Sequence, residues 1–167
     1  MIAGLNRSVT GELVLQEFLF GADRISLEPV RGHLRELQSD RCFYCEEKLR
    51  AAPDVDHFLP WARYPDNGID NLVAADQRCN NRKRDFLASA QHVENWSARL
   101  EGCASDLTAI AESAGWDRHP DRTVGVARAI YLRLPADVKL WDLETNFAEV
   151  GEQAERLHRA LARSVEA

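Results

Sequence analysis

The chain has 167 residues, of which 45% are hydrophobic and 29% are charged, and its formal net charge is −6. This composition fits one globular domain over residues 1–167 that is long enough to bury a core. The acidic balance argues against a protein that coats nucleic acid through a broad basic face, although it allows an enzyme that contacts a few phosphates. The sequence has neither a secretory pattern nor an apolar run of about 18 residues, so we expect a cytoplasmic protein without a membrane partner.

The first predicted element is a helix. An apolar run over residues 9–20 precedes it and has no clear type. Pro29 suits the first turn of a helix, and apolar residues follow it at helical spacing. Together they predict a helix over residues 28–38.

The middle of the chain predicts a hairpin followed by a helix. Residues 41–44 are the predicted first strand and residues 54–59 the returning strand, because Pro60 has no amide hydrogen and ends the pairing. Residues 64–68 form a turn cluster rich in Pro, Asp, Asn and Gly. The chain then leads into a predicted helix over residues 76–85.

The rest of the chain is predominantly helical in pattern. The predicted elements are helices over residues 87–100, 107–114, 123–134 and 151–164, with an extended stretch over residues 138–150. The fold class predicted from these elements is α+β and mostly helical.

The cysteines indicate a metal site. The chain has four, and a disulfide framework is not expected in a long chain without a secretory pattern. Cys42 and Cys45 form a C-x-x-C knuckle, which indicates either a metal site or a redox pair. Their flanks predict a tight turn between short strands, whereas a redox pair normally begins a helix. Metal binding is therefore favoured, and redox chemistry stays the alternative.

Residues 42–83 carry four separately placed motifs. They are, in order, Cys42-x-x-Cys45, Asp56-His57-Phe58-Leu59-Pro60, Asp70-Asn71-Leu72 and Cys79-Asn80-Asn81-Arg82-Lys83. This arrangement resembles the HNH endonuclease family. The resemblance implies a ββα-metal core, a short antiparallel hairpin plus one helix, over about residues 40–90. Helices in residues 1–39 and 91–167 would flank this core.

The resemblance also implies a role for each motif residue. His57 would be the general base, because an imidazole can accept a proton from water at neutral pH. Asp56 and Asn80 would hold a catalytic Mg²⁺ or Mn²⁺ through oxygen atoms. Asn71 would stabilise the loop and help to orient His57. Adjacent strand residues point to opposite faces, so we expect a distorted strand end near Pro60 that reconciles His57 with Asp56.

A second, structural metal site is less complete in the sequence. Many HNH relatives hold zinc with two C-x-x-C knuckles, but the second knuckle here has aspartate in place of one cysteine. The expected ligands are Cys42, Cys45, Asp76 and Cys79. A weaker site, a vacant site or one completed by water stays open.

The resemblance implies hydrolysis of DNA phosphodiester bonds. Family members serve in restriction, phage defence, homing, packaging and toxin systems; the sequence does not select among these, and restriction or phage defence is the pathway we expect. Nearby basic side chains are expected to contact phosphates, namely Arg78, Arg82, Lys83 and Arg84. RNA stays open as a substrate. The alternative function is a catalytically silent zinc module that binds nucleic acid or a protein. The acidic balance suggests that tight DNA binding needs a homodimer or a protein partner.

Overall fold

The computed structural model describes residues 25–162, so the apolar run over residues 9–20 lies outside the described part of the chain. Within that part the fold is α+β and mostly helical, as predicted. Its elements are α1 (Glu28–Leu37), β1 (Asp54–His57), a 3₁₀ turn (Ile69–Asn71), β2 (Leu72–Ala75), α2 (Gln77–Lys83), α3 (Ala90–Gly102), α4 (Ala104–Ala114), α5 (Pro120–Tyr131), β3 (Lys139–Trp141), β4 (Phe147–Glu149) and α6 (Val150–Ala162).

The central hairpin pairs β1 with β2, which differs from the prediction. The strands are antiparallel, with Asp54 opposite Ala75 and His57 opposite Leu72. The predicted pairing of residues 41–44 with residues 54–59 is therefore wrong. All four residues of β2 are buried, so the strand has no polar alternation, and a short apolar run of this kind cannot be distinguished from the approach to a helix by periodicity.

The C-x-x-C knuckle is a turn that packs against this hairpin. A single antiparallel β-bridge between Arg41 and Lys48 closes the turn. The flanks of the knuckle predicted a tight turn between two short strands, and the structure has one bridge in their place. The amide of Phe43 donates a 3.0 Å hydrogen bond to the carbonyl of Ala74, so the knuckle is fixed to β2.

The helices agree with the prediction except at their ends. Helix α3 begins at Ala90 although its apolar pattern begins at Leu87, because the preceding residues pair with β3. The amide of Trp141 donates to the carbonyl of Leu87, and the amide of Ser89 donates to the carbonyl of Trp141, both at 2.8 Å. The extended stretch over residues 138–150 contains the β3–β4 hairpin.

Large aromatic side chains connect the hairpin to the helices. Phe58, which follows β1, stacks on Trp96 of α3 with ring centroids 4.8 Å apart. Trp96 and Trp141 are fully buried. The end of β1 is thus fixed against the helical layer, which keeps the polar residues beside it in place.

None of the helices in residues 25–162 is long and apolar enough to cross a membrane.

Candidate active site and metal centre

Strand β1 and helix α2 present polar side chains to each other. Asp54 and Asp56 alternate along β1 and so share one face, whereas Asn80 and Lys83 are one helical turn apart on α2. The Nδ2 of Asn80 donates a 3.0 Å hydrogen bond to Oδ2 of Asp54. The Nζ of Lys83 lies 3.1 Å from Oδ2 of Asp56. The two predicted ligands of the catalytic cation, Asp56 and Asn80, therefore lie at the same strand–helix interface.

Asp54 is a candidate site residue that the motif comparison misses. It lies two residues before Asp56 and is half-buried, and its contact is the amide of Asn80. This hydrogen bond uses the NH₂ group of Asn80, so the amide oxygen is directed elsewhere. The signal in the sequence is the Asp-x-Asp alternation of a strand, which places both carboxylates on one face.

Lys83 was predicted to contact phosphates, and the structure contradicts this prediction. Its side chain is fully buried, and besides Asp56 its Nζ donates to the carbonyl of His57 at 3.0 Å. It also lies over the Tyr44 ring, 5.8 Å from the centroid. A fully buried ammonium cannot reach a phosphate, and it needs anionic or carbonyl partners to offset the loss of water. Lys83 is thus an internal partner of the strand.

Tyr44 is a second partner of Asp56. Its hydroxyl donates a 2.5 Å hydrogen bond to Oδ2 of Asp56. Burial and the neighbouring Asp56 charge raise the pKa of Tyr44 well above its ordinary value, so the phenol keeps its proton as a donor. Both contacts of Asp56, from Tyr44 and from Lys83, fall on the same carboxylate oxygen.

His57 points away from Asp56, as adjacent strand residues do. Its Nε2 is 2.7 Å from Oδ1 of Asn67, and its ring meets Trp61 edge-on with centroids 5.3 Å apart. The chain bends at Phe58 and Leu59 directly after the strand, close to the distortion expected near Pro60. His57 is half-buried, so its ring is partly accessible.

Asn71 braces the loop between β1 and β2. Its Oδ1 accepts from the amide of Leu59 at 2.8 Å, and its Nδ2 donates to the carbonyls of Leu59 and Asp66. These contacts agree with the predicted stabilisation of the loop. The ring of His57, however, is contacted by Asn67, a residue that the sequence places only in a turn cluster.

The predicted zinc ligands converge on one point. The ligand atoms of Cys42, Cys45, Asp76 and Cys79 all lie within 4.8 Å of one another. Asp76 makes three contacts there: its Oδ2 accepts from the Cys45 thiol at 3.0 Å, its Oδ1 accepts from the Cys79 amide at 2.7 Å, and its own amide donates to the Cys42 sulfur at 3.4 Å. The bond from the Cys79 amide makes Asp76 the N-cap of α2, a structural role that an aspartate has without any metal.

The protonation of this cluster fits a cation site. A hydrogen bond from the Cys79 thiol lowers the pKa of Cys42 to about 6, whereas burial and the bond to Asp76 raise the pKa of Cys45 to about 12. The bond to Cys42 and burial also raise the pKa of Cys79 far above its ordinary value. The protein alone thus stabilises one thiolate. A divalent cation would compensate further thiolates, and three sulfurs with one carboxylate form a donor set that suits zinc.

Three predicted phosphate contacts stay accessible. Arg78, Arg82 and Arg84 are all exposed. The guanidinium of Arg78 also forms a 2.9 Å ion pair with Glu144 in the turn between β3 and β4, and both side chains remain at least half exposed.

Comparison with known proteins agrees with the motif resemblance. Residues 42–89 match the family model described as HNH endonuclease. The match covers less than half of the chain, and it contains the knuckle, the β1–β2 hairpin and α2, which form a ββα unit. The family match therefore falls on this ββα unit, and the match indicates nuclease activity. No curated protein matches the chain, and no solved structure does so either.

Proposed function

We propose that this protein is a metal-dependent endonuclease that hydrolyses DNA phosphodiester bonds. The observation that carries the proposal is that Asp54, Asp56 and Asn80 lie together between β1 and α2, and that His57 follows Asp56 directly in the chain with a half-buried side chain. Carboxylate and amide oxygens are the donors that Mg²⁺ and Mn²⁺ prefer, and an imidazole is the group best able to take a proton from water at neutral pH.

Asp56 and Asn80 would hold the catalytic cation, with Asp54 as a further candidate ligand. When bound, Mg²⁺ or Mn²⁺ would neutralise the charge that develops on the phosphate and on the leaving oxygen. The residues fit such an ion, because the Asn80 NH₂ group is taken up by Asp54 and its amide oxygen can serve as a ligand. Tyr44 and Lys83 engage one oxygen of Asp56 and so hold the carboxylate in a fixed orientation.

His57 acts as the general base. It takes a proton from the attacking water through the ring nitrogen that Asn67 does not contact. Lys83 donates a hydrogen bond to the carbonyl of His57, so the backbone at the end of β1 is held in place while the imidazole accepts the proton.

A structural zinc would hold this arrangement together. Cys42, Cys45, Asp76 and Cys79 join the knuckle to the first turn of α2, the helix that carries Asn80. A short hairpin and one short helix bury little apolar surface, and a metal can supply the missing folding free energy. The zinc site thus acts on catalysis through the position of α2.

Substrate binding is assigned to the exposed arginines Arg78, Arg82 and Arg84, which can form bidentate contacts with phosphates. With a net charge of −6, the chain would need a second copy or a protein partner for tight binding to DNA. Restriction or phage defence is the proposed pathway.

The experiment that tests the activity is a cleavage panel with Mg²⁺ or Mn²⁺. Supercoiled plasmid, linear duplex, single-stranded DNA and RNA are each incubated with the protein, with and without EDTA. Nicking or cutting of DNA that EDTA abolishes supports the proposal. Cleavage of RNA alone would reassign the substrate. Binding to DNA without cleavage under any metal would favour the alternative, a catalytically silent zinc module.

A further inference from the structure

Asn67 is the hydrogen-bonding partner of the His57 ring. Oδ1 of Asn67 lies 2.7 Å from Nε2 of His57 and can only accept, so in a neutral imidazole this contact places the hydrogen on Nε2 and the lone pair on Nδ1. A general base needs a ring nitrogen without a proton that faces the substrate. The Asn67 contact therefore selects the tautomer that the proposed reaction requires and restricts rotation of the ring.

The position of Asn67 is set from outside the segment that matches the HNH family. The indole Nε1 of Trp116 donates to the carbonyl of Asn67 at 2.6 Å. Trp116 lies in the connection between α4 and α5, directly after Gly115, which ends α4 in the left-handed conformation with φ 62°. The positive φ turns the chain so that Trp116 faces the loop between the strands of the hairpin.

The residues after Trp116 hold the rest of this loop. The amide of Ile69 donates to the carbonyl of Asp117 at 3.0 Å. The carboxylate of Asp70 is fully buried, and it accepts from Nε of Arg118 and from the amide of His119, each at 3.0 Å. We name residues 116–119 the clamp, since they contact residues 67–70 in the same order along the chain.

We propose that Asn67 is a positioning residue for His57 and that the clamp holds Asn67 in place through Trp116. The inference rests on the proposed function, because it assigns a task to Asn67 only if His57 is the base. Its consequence is that the connection between α4 and α5, which lies outside the family segment, affects catalysis through the position of Asn67. Loss of the Asn67 side chain lets the imidazole rotate and exchange tautomers, which lowers kcat and leaves KM nearly unchanged because no substrate contact is removed.

The test combines kinetics with nitrogen NMR of the full chain, in which the ¹⁵N shifts of histidine report the protonated ring nitrogen. Four variants are compared with the wild type: Asn67→Ala, Asn67→Asp, Trp116→Phe and, as a control, Asn146→Ala at an exposed position of the β3–β4 turn. Thermal melting of each variant checks that it is folded.

The wild type is expected to show His57 protonated at Nε2. Asn67→Ala should give a mixture of tautomers and a fall in kcat of about tenfold to a hundredfold, with KM within about twofold. Asn67→Asp keeps the acceptor oxygen and should retain the wild-type tautomer. Trp116→Phe, which removes the N–H donor but keeps an aromatic ring, should shift the tautomers in the same direction to a smaller extent.

An unchanged His57 tautomer in Asn67→Ala would overturn the role of Asn67, and an unchanged tautomer in Trp116→Phe would overturn the role of the clamp. The two proposals can fail separately. A tautomer shift in a protein that cleaves none of the substrates would refute the nuclease, while the control of the His57 ring by Asn67 would stand as a structural contact. If Asn67→Ala still cleaves DNA and its His57 tautomer is unchanged, the nuclease stands and the role of Asn67 is refuted.

Discussion

Lys83 Nζ lies 3.1 Å from Asp56 Oδ2 in the interior of the protein, with the Lys83 side chain fully buried and that of Asp56 10% exposed. Each charge has lost most of its water, so each depends on the other and on the neighbouring polar groups. The pair joins the last turn of α2 to β1, which are the two elements that carry the proposed ligands of the catalytic cation.

Removal of the buried ammonium of Lys83 should lower the stability of the protein. We expect Lys83→Met to lower the free energy of unfolding by about 3 kcal/mol, because Asp56 is left as a buried charge without its ion-pair partner. Chemical denaturation measures the change. Arg82→Ala, at the exposed neighbouring position, is the matched control and should change stability by less than about 0.5 kcal/mol. Equal stability of Lys83→Met and the wild type would show that the pair has no structural role.

Loss of a zinc ligand should affect folding as well as activity. Cys42→Ser is expected to lower both the bound zinc, measured by elemental analysis, and the melting temperature, because the cluster connects the knuckle to α2. Cys103→Ser is the control, since Cys103 does not belong to the cluster. Full zinc content and normal melting in Cys42→Ser would rule out the site.

Asp76→Asn distinguishes the two roles of Asp76. Asparagine caps a helix as well as aspartate does, so α2 should keep its N-terminus. The amide is a poorer zinc ligand than a carboxylate, so competition with a chelator should remove zinc more easily from this variant. Retention of zinc equal to the wild type would mean that Asp76 serves only as the N-cap of α2.

Asp54 is expected to contribute to binding of the catalytic cation. Asp54→Ala removes a carboxylate and also releases the Asn80 amide that it holds, so Mn²⁺ should bind about tenfold more weakly. Isothermal titration with Mn²⁺ measures the affinity directly and does not depend on cleavage. Asp85→Ala removes an exposed carboxylate beyond α2 and should leave the affinity unchanged. Equal affinities of both variants would exclude Asp54 from the site.

The buried His92 predicts a loss of stability in mild acid. Burial lowers the pKa of its imidazole, against the opposing effect of Asp142, and its buried Nδ1 has no hydrogen-bonding partner among residues 25–162. The unfolded state therefore takes up the proton first. The stability that neutral His92 contributes is complete above about pH 6.5 and declines as the pH falls toward and below the folded pKa.

Unfolding by denaturant between pH 7.5 and 5 measures this effect. His92→Gln should lower the stability at neutral pH and make its decline on acidification shallower than in the wild type. His158→Gln, at an exposed position of α6, should leave the slope unchanged. An identical slope in His92→Gln and the wild type would contradict the role of His92.

The parts of the site that local sequence could predict are those whose chemistry lies within short motifs. The knuckle, the helix that begins after Asp76 and the loop-bracing Asn71 were all visible in this way. Strand β2 was not, because its four buried residues lack the alternation that identifies a strand exposed on one face. Residues 41–44 also offered a candidate partner for β1 that is nearer in the sequence than β2, so the sequence favoured the wrong pairing.

Other features depend on contacts between residues far apart in the chain. Lys83 lies in a basic run that is typical of a solvated helix face, and only the arrangement of α2 against β1 buries it. Asn67 belongs to a turn by composition, but its contact with Trp116 joins residues separated by 49 positions. No local pattern encodes either relationship.

The central claim, that His57 is the base of a metal-dependent nuclease, is tested most directly by plasmid cleavage with two histidine variants. His57→Ala and His158→Ala are compared with the wild type on supercoiled DNA in Mg²⁺ or Mn²⁺, after melting curves have shown that both are folded. We predict that His158→Ala nicks the plasmid like the wild type, and that His57→Ala loses at least about a hundredfold in rate. Cleavage by His57→Ala at the wild-type rate would contradict the account.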